Sequence, residues 1–321
     1  MTLTQRHPRH RQRWSPACTV RREDWSDAGR DVVELRDMVE SWASSTKPGF
    51  ELNARVSMAE VWSAYLAPHP FDFSLVRETP TRYVMRISQT KPMPPELSVI
   101  FGEWLFNMRS ALDYTIWATA VHTSGQMPPP GEGGLQYPIY DEEASWGRNE
   151  WRLNPLGKHH REMLHMMQPF KSDLDANYLG WINRLARIDR HRRLTIWTAR
   201  LGEINPIVRV PSGSMPHLEW GQKVFDAGIC DMARMTFRSV SDADEVEFNP
   251  RCAIDPEIAE WSESSFWGRI RFSERLNLMQ VFVSAEIDLY EYDCTGEAPS
   301  TTVAFILLSS ACFGRFLAFP C

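Results

Sequence analysis

The sequence predicts an α+β fold, with a helical bundle over about residues 24–194 followed by a β-rich section and a closing helix. Three observations carry this. Ser98–Ala120 sets apolar residues at helical spacing, and Leu179–Leu194 repeats the pattern with more charge. Beyond Leu194 the period falls to simple alternation, interrupted by Gly, Asp and Pro. The expected organisation is a basic leader (1–22), a helical domain (23–200), a β-rich section with its closing helix (201–300) and an apolar tail (301–321).

Taken in order, residues 1–22 are basic with two prolines and read as a flexible leader, or as a start placed too far upstream. From Asp24 to Ser45, Val32, Val33, Leu35, Val39 and Trp42 supply one apolar helix side, ended by Lys47-Pro48-Gly49. Ser57 and Glu60 form a capping box for a short helix that Pro68 and Pro70 stop. Arg82–Gln89 alternates like a strand, and Pro94-Pro95 is well placed to start the long helix.

On that helix Phe101, Trp104, Leu105, Met108, Leu112, Thr115 and Ile116 share an arc roughly 120° wide. The opposite side carries Glu103, Asn107, Arg109, Ser110, Asp113 and Tyr114, with Arg109 and Asp113 four apart and able to pair. These polar groups read first as hydrogen-bonding ties inside a bundle, and second as the border of a binding site. The Gly- and Pro-rich run HTSGQMPPPGEGGLQ is an exposed loop, followed by an extended piece at Tyr137–Tyr140. A helix from about Pro155 stops before Pro169.

In Leu179–Leu194, Trp181, Ile182, Leu185 and Ile188 share one face, while Asn183, Arg184, Arg187, Arg190 and His191 occupy the other. Asp189 lies on the packing face, where a carboxylate needs a partner; the Arg109–Asp113 pair is the expected one. Strands are expected around RRLTIWTARLG, PIVRVP, QKVFDAG, DMARMTFRS and EVEFNP. FSERLNLMQVFVSAEIDLYEY is the closing helix, capped by Ser273, with Leu276, Met279, Val283, Ile287 and Tyr290 on one side. The apolar tail holds Arg315 and has no flanking Lys or Arg, so a buried terminal segment or a frame-altered end is expected in place of a membrane anchor.

Composition excludes several function classes. A net charge of −6 gives no general attraction for nucleic acid or anionic membrane, so any such contact needs a local basic patch. The six cysteines form no C-x-x-C pair, which fits a reducing cytoplasm and no disulfide or zinc framework. His160 and His165 are five apart, off the register two helix ligands prefer; neither metal nor cofactor is expected. PPGEGG lacks the Lys-Ser/Thr of a phosphate loop, and no nucleophile elbow is present.

GEWLFNMRSALDYTIWATA, YPIY, Gln168-Pro169-Phe170 and INRLARIDRHRRL, in that order, resemble an uncharacterised family of bacterial proteins over roughly residues 95–200. Its members read N-L-R-S-A-L-D, F-P-I, L-Q-P-Y and D-K-H-R; Met108, Tyr137, Phe170 and Arg190 depart from that pattern. The resemblance supports the fold reading and implies no reaction. More distantly, Arg184 to His191 resembles the Arg-x6-His signature of HEPN domains, helical modules that often cleave RNA or bind nucleotides. That resemblance implies a metal-independent ribonuclease acting across a homodimer cleft. His191 would serve as acid or base, and Arg184 or Arg187 would stabilise phosphorane charge. Leu185 follows Arg184 where that group commonly has a polar residue. The leading expectation is therefore a binding or interaction module, with the ribonuclease as the alternative.

Overall fold

Helix α1 (Gly49–Leu66) leads into a hairpin of β1 (Phe71–Thr79) and β2 (Arg82–Gln89), and then into the long helix α2 (Glu96–Ser124). Three shorter helices follow: α3 (Glu143–Asn149), α4 (Lys158–Met166) and α5 (Tyr178–His191). The chain continues through β3 (Trp197–Ile204), β4 (Ile207–Arg209), β5 (His217–Trp220), β6 (Ile229–Thr236), β7 (Glu247–Asn249) and β8 (Cys252–Ile258). A one-turn helix α6 (Ala259–Ser262) and the closing helix α7 (Phe272–Thr295) complete it. This computed structural model describes residues 49–191, 197–210, 215–239 and 246–296, all within one unit, Thr46–Cys321. The leader at 1–22, the helix expected at 24–45 and the apolar tail at 301–321 lie outside the described residues.

The mixed α+β class and the closing helix are as expected. Helix α2 is the centre of the helical layer and packs against α1, α5 and α7. Its seven expected core residues, Phe101 through Ile116, are all buried. Pro95 stands at its N-cap, where a missing N–H costs nothing. Gly125 closes it in the left-handed region at φ 64°, donating its N–H to the Val121 carbonyl. Among the described residues no helix is long and apolar enough to cross a membrane.

Strands β1, β2, β6 and β5 form an antiparallel sheet in that order. Phe225 donates its amide to the Ala199 carbonyl and Leu201 donates its amide to the Lys223 carbonyl, which carries the layer across to the β3–β8 pair. Ala227 and Gly228, at φ 46° and 79°, form the two-residue turn into β6. Met85, Ile87 and Met235 are buried. On the other face Arg86 forks onto Asp231 at 2.6 and 3.0 Å.

Several elements differ from expectation. Helix α1 begins at Gly49, so Ser57 and Glu60 lie inside it and cap nothing. Strand β1 was not expected, yet its partner β2 spans Arg82–Gln89 as read from the sequence. Because β2 also pairs with β6, the sheet draws on chain from both sides of residue 200. Helix α7 is N-capped by Arg271, and no side-chain cap bond forms. Strand β8 contains Pro256, tolerated at the outer edge of a two-stranded pair.

Candidate functional site

The polar row of α2 and the Tyr137–Tyr140 segment build one structure together. Arg109 and Asp113 pair at 3.0 Å, as their spacing predicts. Both also hold the backbone of one residue: Tyr137 donates its amide to Asp113 Oδ1 at 2.8 Å, and Arg109 Nη2 donates to the Tyr137 carbonyl. Gln168, fully buried, grips the next units. Its Oε1 accepts the Tyr140 amide at 2.9 Å, while Nε2 donates to the carbonyls of Pro138 at 2.8 Å and Leu164 at 2.9 Å. An extended segment outside any sheet thus has its backbone groups satisfied by side chains, as burial requires.

The side chain of Tyr137 points inward to a buried carboxyl. Its hydroxyl donates to Glu286 Oε2 at 2.9 Å, and the Tyr178 hydroxyl donates to Oε1 at 2.9 Å. Tyr178 stacks on Phe282 with ring centroids 4.4 Å apart. Burial pushes the Glu286 carboxyl above its ordinary value, against the two phenol bonds that favour its charge. The same burial, with Glu286 nearby, raises Tyr137 and Tyr178 well above the usual phenol range.

This shift has a sign. With its folded pKa raised, Glu286 takes up a proton more readily in the folded chain than in the unfolded one. The contribution of Glu286 to stability is therefore fully present below the ordinary carboxyl value of 4.5 and is lost as pH rises through the raised folded value. Glu286→Gln is expected to flatten this slope. Urea midpoints compared at about pH 5 and about pH 8 should fall more for wild type than for the variant, and equal falls would show that Glu286 does not set the slope.

Beside the pinned segment lies a cleft of about 300 Å³. Tyr137, Pro138, Ile139, Tyr140 and Arg109 line it together with Trp146, Asn149, Glu150 and Arg152. Asn183 of α5 and Gln136 reach the same space. Its surface is mixed, combining aromatic rings with amide and guanidinium groups, which suits a small polar ligand.

The expected site residues divide between two levels of α2. Arg109 and Asp113 serve the cleft wall. Asp189 instead lies against Gly102, where a Cβ would come within 2.7 Å of its Oδ1. Gly102 and Arg109 are seven residues apart, about 10 Å along a helix. Glu103 is exposed and Asn107 half-buried. Arg184 is exposed, with its guanidinium carbon 4.4 Å from the Trp181 ring centroid, and Arg187 is exposed on the same helix. His191 ends α5, and its side chain lies outside the described residues.

Three further groups belong to this region. Asn183 was expected only as part of a polar face. Gln168 stood in a turn motif whose role the sequence did not show. Glu286 was missed, although its signal is plain: it falls three residues after Val283 and four before Tyr290, on the apolar face of α7.

The histidines of α4 engage the end of α7. Asp293 binds His160 Nε2 at 2.7 Å and His159 Nε2 at 3.2 Å. Burial lowers the His160 pKa, with Asp293 opposing the shift. Burial pushes the neighbouring Cys294 thiol up to about 11 and Cys230 up to about 12, so neither is an activated nucleophile. Among the described residues no group of three His, Cys, Asp or Glu is arranged to hold a metal ion. No family model, curated protein or solved structure matches the chain.

Proposed function

We propose that the protein is a binding module of the reducing cytoplasm, and that the cleft beside Tyr137–Tyr140 takes a small polar molecule. The observation that carries this reading is the clamp of Arg109, Asp113 and Gln168 on that segment. It fixes one wall of the cleft before any ligand arrives, which lowers the ordering cost of binding. The thiols of Cys230, Cys252 and Cys294 are free, in keeping with a reducing compartment.

Asn183 and Arg152 both line the cleft with polar side chains, and neither takes part in the clamp. Ligand-observed NMR with a library of metabolite-sized polar compounds is expected to find binders displaced by Asn183→Leu. Loss of about ten-fold in affinity corresponds to one hydrogen bond to a polar ligand. A library without binders, or binders indifferent to both Asn183→Leu and Arg152→Ala, overturns the reading.

One observation favours a second reading. Arg184 and Arg187 are exposed along α5, where a phosphate backbone could reach them. In that reading RNA is the substrate, a second copy of the chain completes the cleft, and His191 performs the proton transfers. RNA cleavage and growth arrest on expression, measured for wild type and His191→Ala, decide it. Equal activity in both removes the nuclease from consideration.

A further inference from the structure

The β1–β2–β6–β5 sheet ends on two edges of different character. Strand β1 is bulged between Arg77 and Thr79 and exposes Asp72, Arg77 and Glu78, features that discourage an edge from pairing with another chain. Strand β5 lacks a bulge. Its register with β6 is unbroken from His217 opposite Thr236 to Trp220 opposite Ala233, and every one of its residues is exposed. Leu218 and Trp220 offer apolar surface there, with 57% of Trp220 open to solvent, and Met215 is exposed just before the strand.

Gly221 donates its amide to the Met232 carbonyl, which fixes the direction of the peptide groups along β5. Bonded and non-bonded pairs alternate in an antiparallel ladder, so His217 and Glu219 turn their backbone groups to β6, while Leu218 and Trp220 turn theirs to the open edge. Among the described residues no backbone group bonds to Leu218 or Trp220 from that side. The side chains are sorted as well. Leu218 and Trp220 extend two rows of the sheet's apolar face, Tyr83–Met235–Leu218 and Met85–Ala233–Trp220. His217 and Glu219 stand on the other face, 3.6 Å apart, with Glu219 opposite Arg234, which Glu78 engages at 3.5 Å.

The geometry points to a homodimer in which β5 pairs antiparallel with β5 of a second copy, about a two-fold axis through Leu218. Such an axis, perpendicular to the sheet, keeps both apolar faces on the same side. The charge pattern selects the register. Centring the pair on His217 or on Glu219 would set identical ionisable groups against each other, which is unfavourable. Centring it on Leu218 sets each His217 imidazole opposite the Glu219 carboxylate of the other copy, Leu218 against Leu218, and Trp220 against Pro216. The outward groups then find partners: the Leu218 residues exchange amide–carbonyl bonds across the axis, and each Trp220 N–H meets a Pro216 carbonyl. Pro216 has no N–H to offer in return, so the pairing stops there. The two sheets become one, with the bulged β1 strands as its outer edges. Strand β5 contributes nothing to the lining of the Tyr137 cleft, so this pairing stands apart from the ligand reading.

The test uses the full chain in sedimentation velocity, from low micromolar to high micromolar concentration. A concentration-dependent dimer is expected. Over the same range the Leu218 and Trp220 amides should exchange more slowly with solvent, while those of His217 and Glu219, which face β6, should not change. Leu218→Lys sets two ammonium groups against each other on the axis and should leave a monomer with an unchanged Tm, since the position is exposed. Glu219→Lys opposes His217 with a positive charge and should raise the dissociation constant about ten-fold. Combining it with His217→Glu restores opposite charges in reversed order and should bring the constant back to within about three-fold of wild type. A chain that stays monomeric, a dimer that Leu218→Lys leaves intact, or a double variant no tighter than Glu219→Lys overturns the β5 pairing.

Discussion

Gln168→Leu is expected to lower stability by about 3–5 kcal/mol, because it strands three backbone groups at once. The side chain is fully buried and bonds Tyr140, Pro138 and Leu164 through both of its polar atoms. Leucine nearly matches glutamine in volume, so packing changes little and the loss reports the hydrogen bonds. The urea midpoint should fall with an unchanged m-value. The Tyr140 amide, whose bond to Gln168 is gone, should exchange with solvent faster than the Tyr137 amide, which Asp113 still holds. A variant within about 1 kcal/mol of wild type would show that the segment stays in place without this grip.

Glu257→Gln is expected to be equally costly, about 3–5 kcal/mol, for a different reason. It leaves the Arg275 guanidinium buried among Trp261 and Phe272 without its counter-charge. Burial already pulls the Arg275 pKa below the usual guanidinium value, with the Glu257 carboxylate opposing that shift. Removing the charged arginine as well should recover part of the loss, since an apolar side chain in that aromatic setting needs no partner. Glu257→Gln combined with Arg275→Met should therefore be more stable than the sum of the single losses implies. Additivity within about 0.5 kcal/mol would show that the two residues do not act as a pair.

Much of this architecture is legible in the sequence, and the exceptions have physical causes. Phe101 through Ile116 announce the core face of α2 because helical period and burial coincide there. The Arg109–Asp113 pair is legible because its partners are one turn apart. That both residues would seize the backbone of Tyr137 is not, since Tyr137 lies 24 and 28 residues further on, beyond the end of α2 and a Gly- and Pro-rich loop. Strand β1 did carry its signal, with Phe71, Phe73 and Leu75 alternating against Asp72 and Ser74, but two prolines just before it masked the pattern. Strand β8 holds Asp255 and Pro256, which read as a turn, and only its pairing with β3 makes it a strand. The close approach of Asp189 to Gly102 was not legible either, because a glycine on a helix does not announce which neighbour it admits.

The pairing of β2 with β6 also has a consequence for how the chain is born. Arg86 and Asp231, which join the two strands, are 145 residues apart. At a synthesis rate of about 5–20 residues per second, the β1–β2 hairpin waits roughly 7–30 s at the ribosome before its second neighbour exists. During that interval the inner edge of β2 offers open hydrogen-bonding groups to any passing chain. The nascent protein is therefore most vulnerable to aggregation in the middle of translation, and a chaperone that shields residues 82–89 until Thr236 has emerged would raise its yield more than one acting on the finished chain.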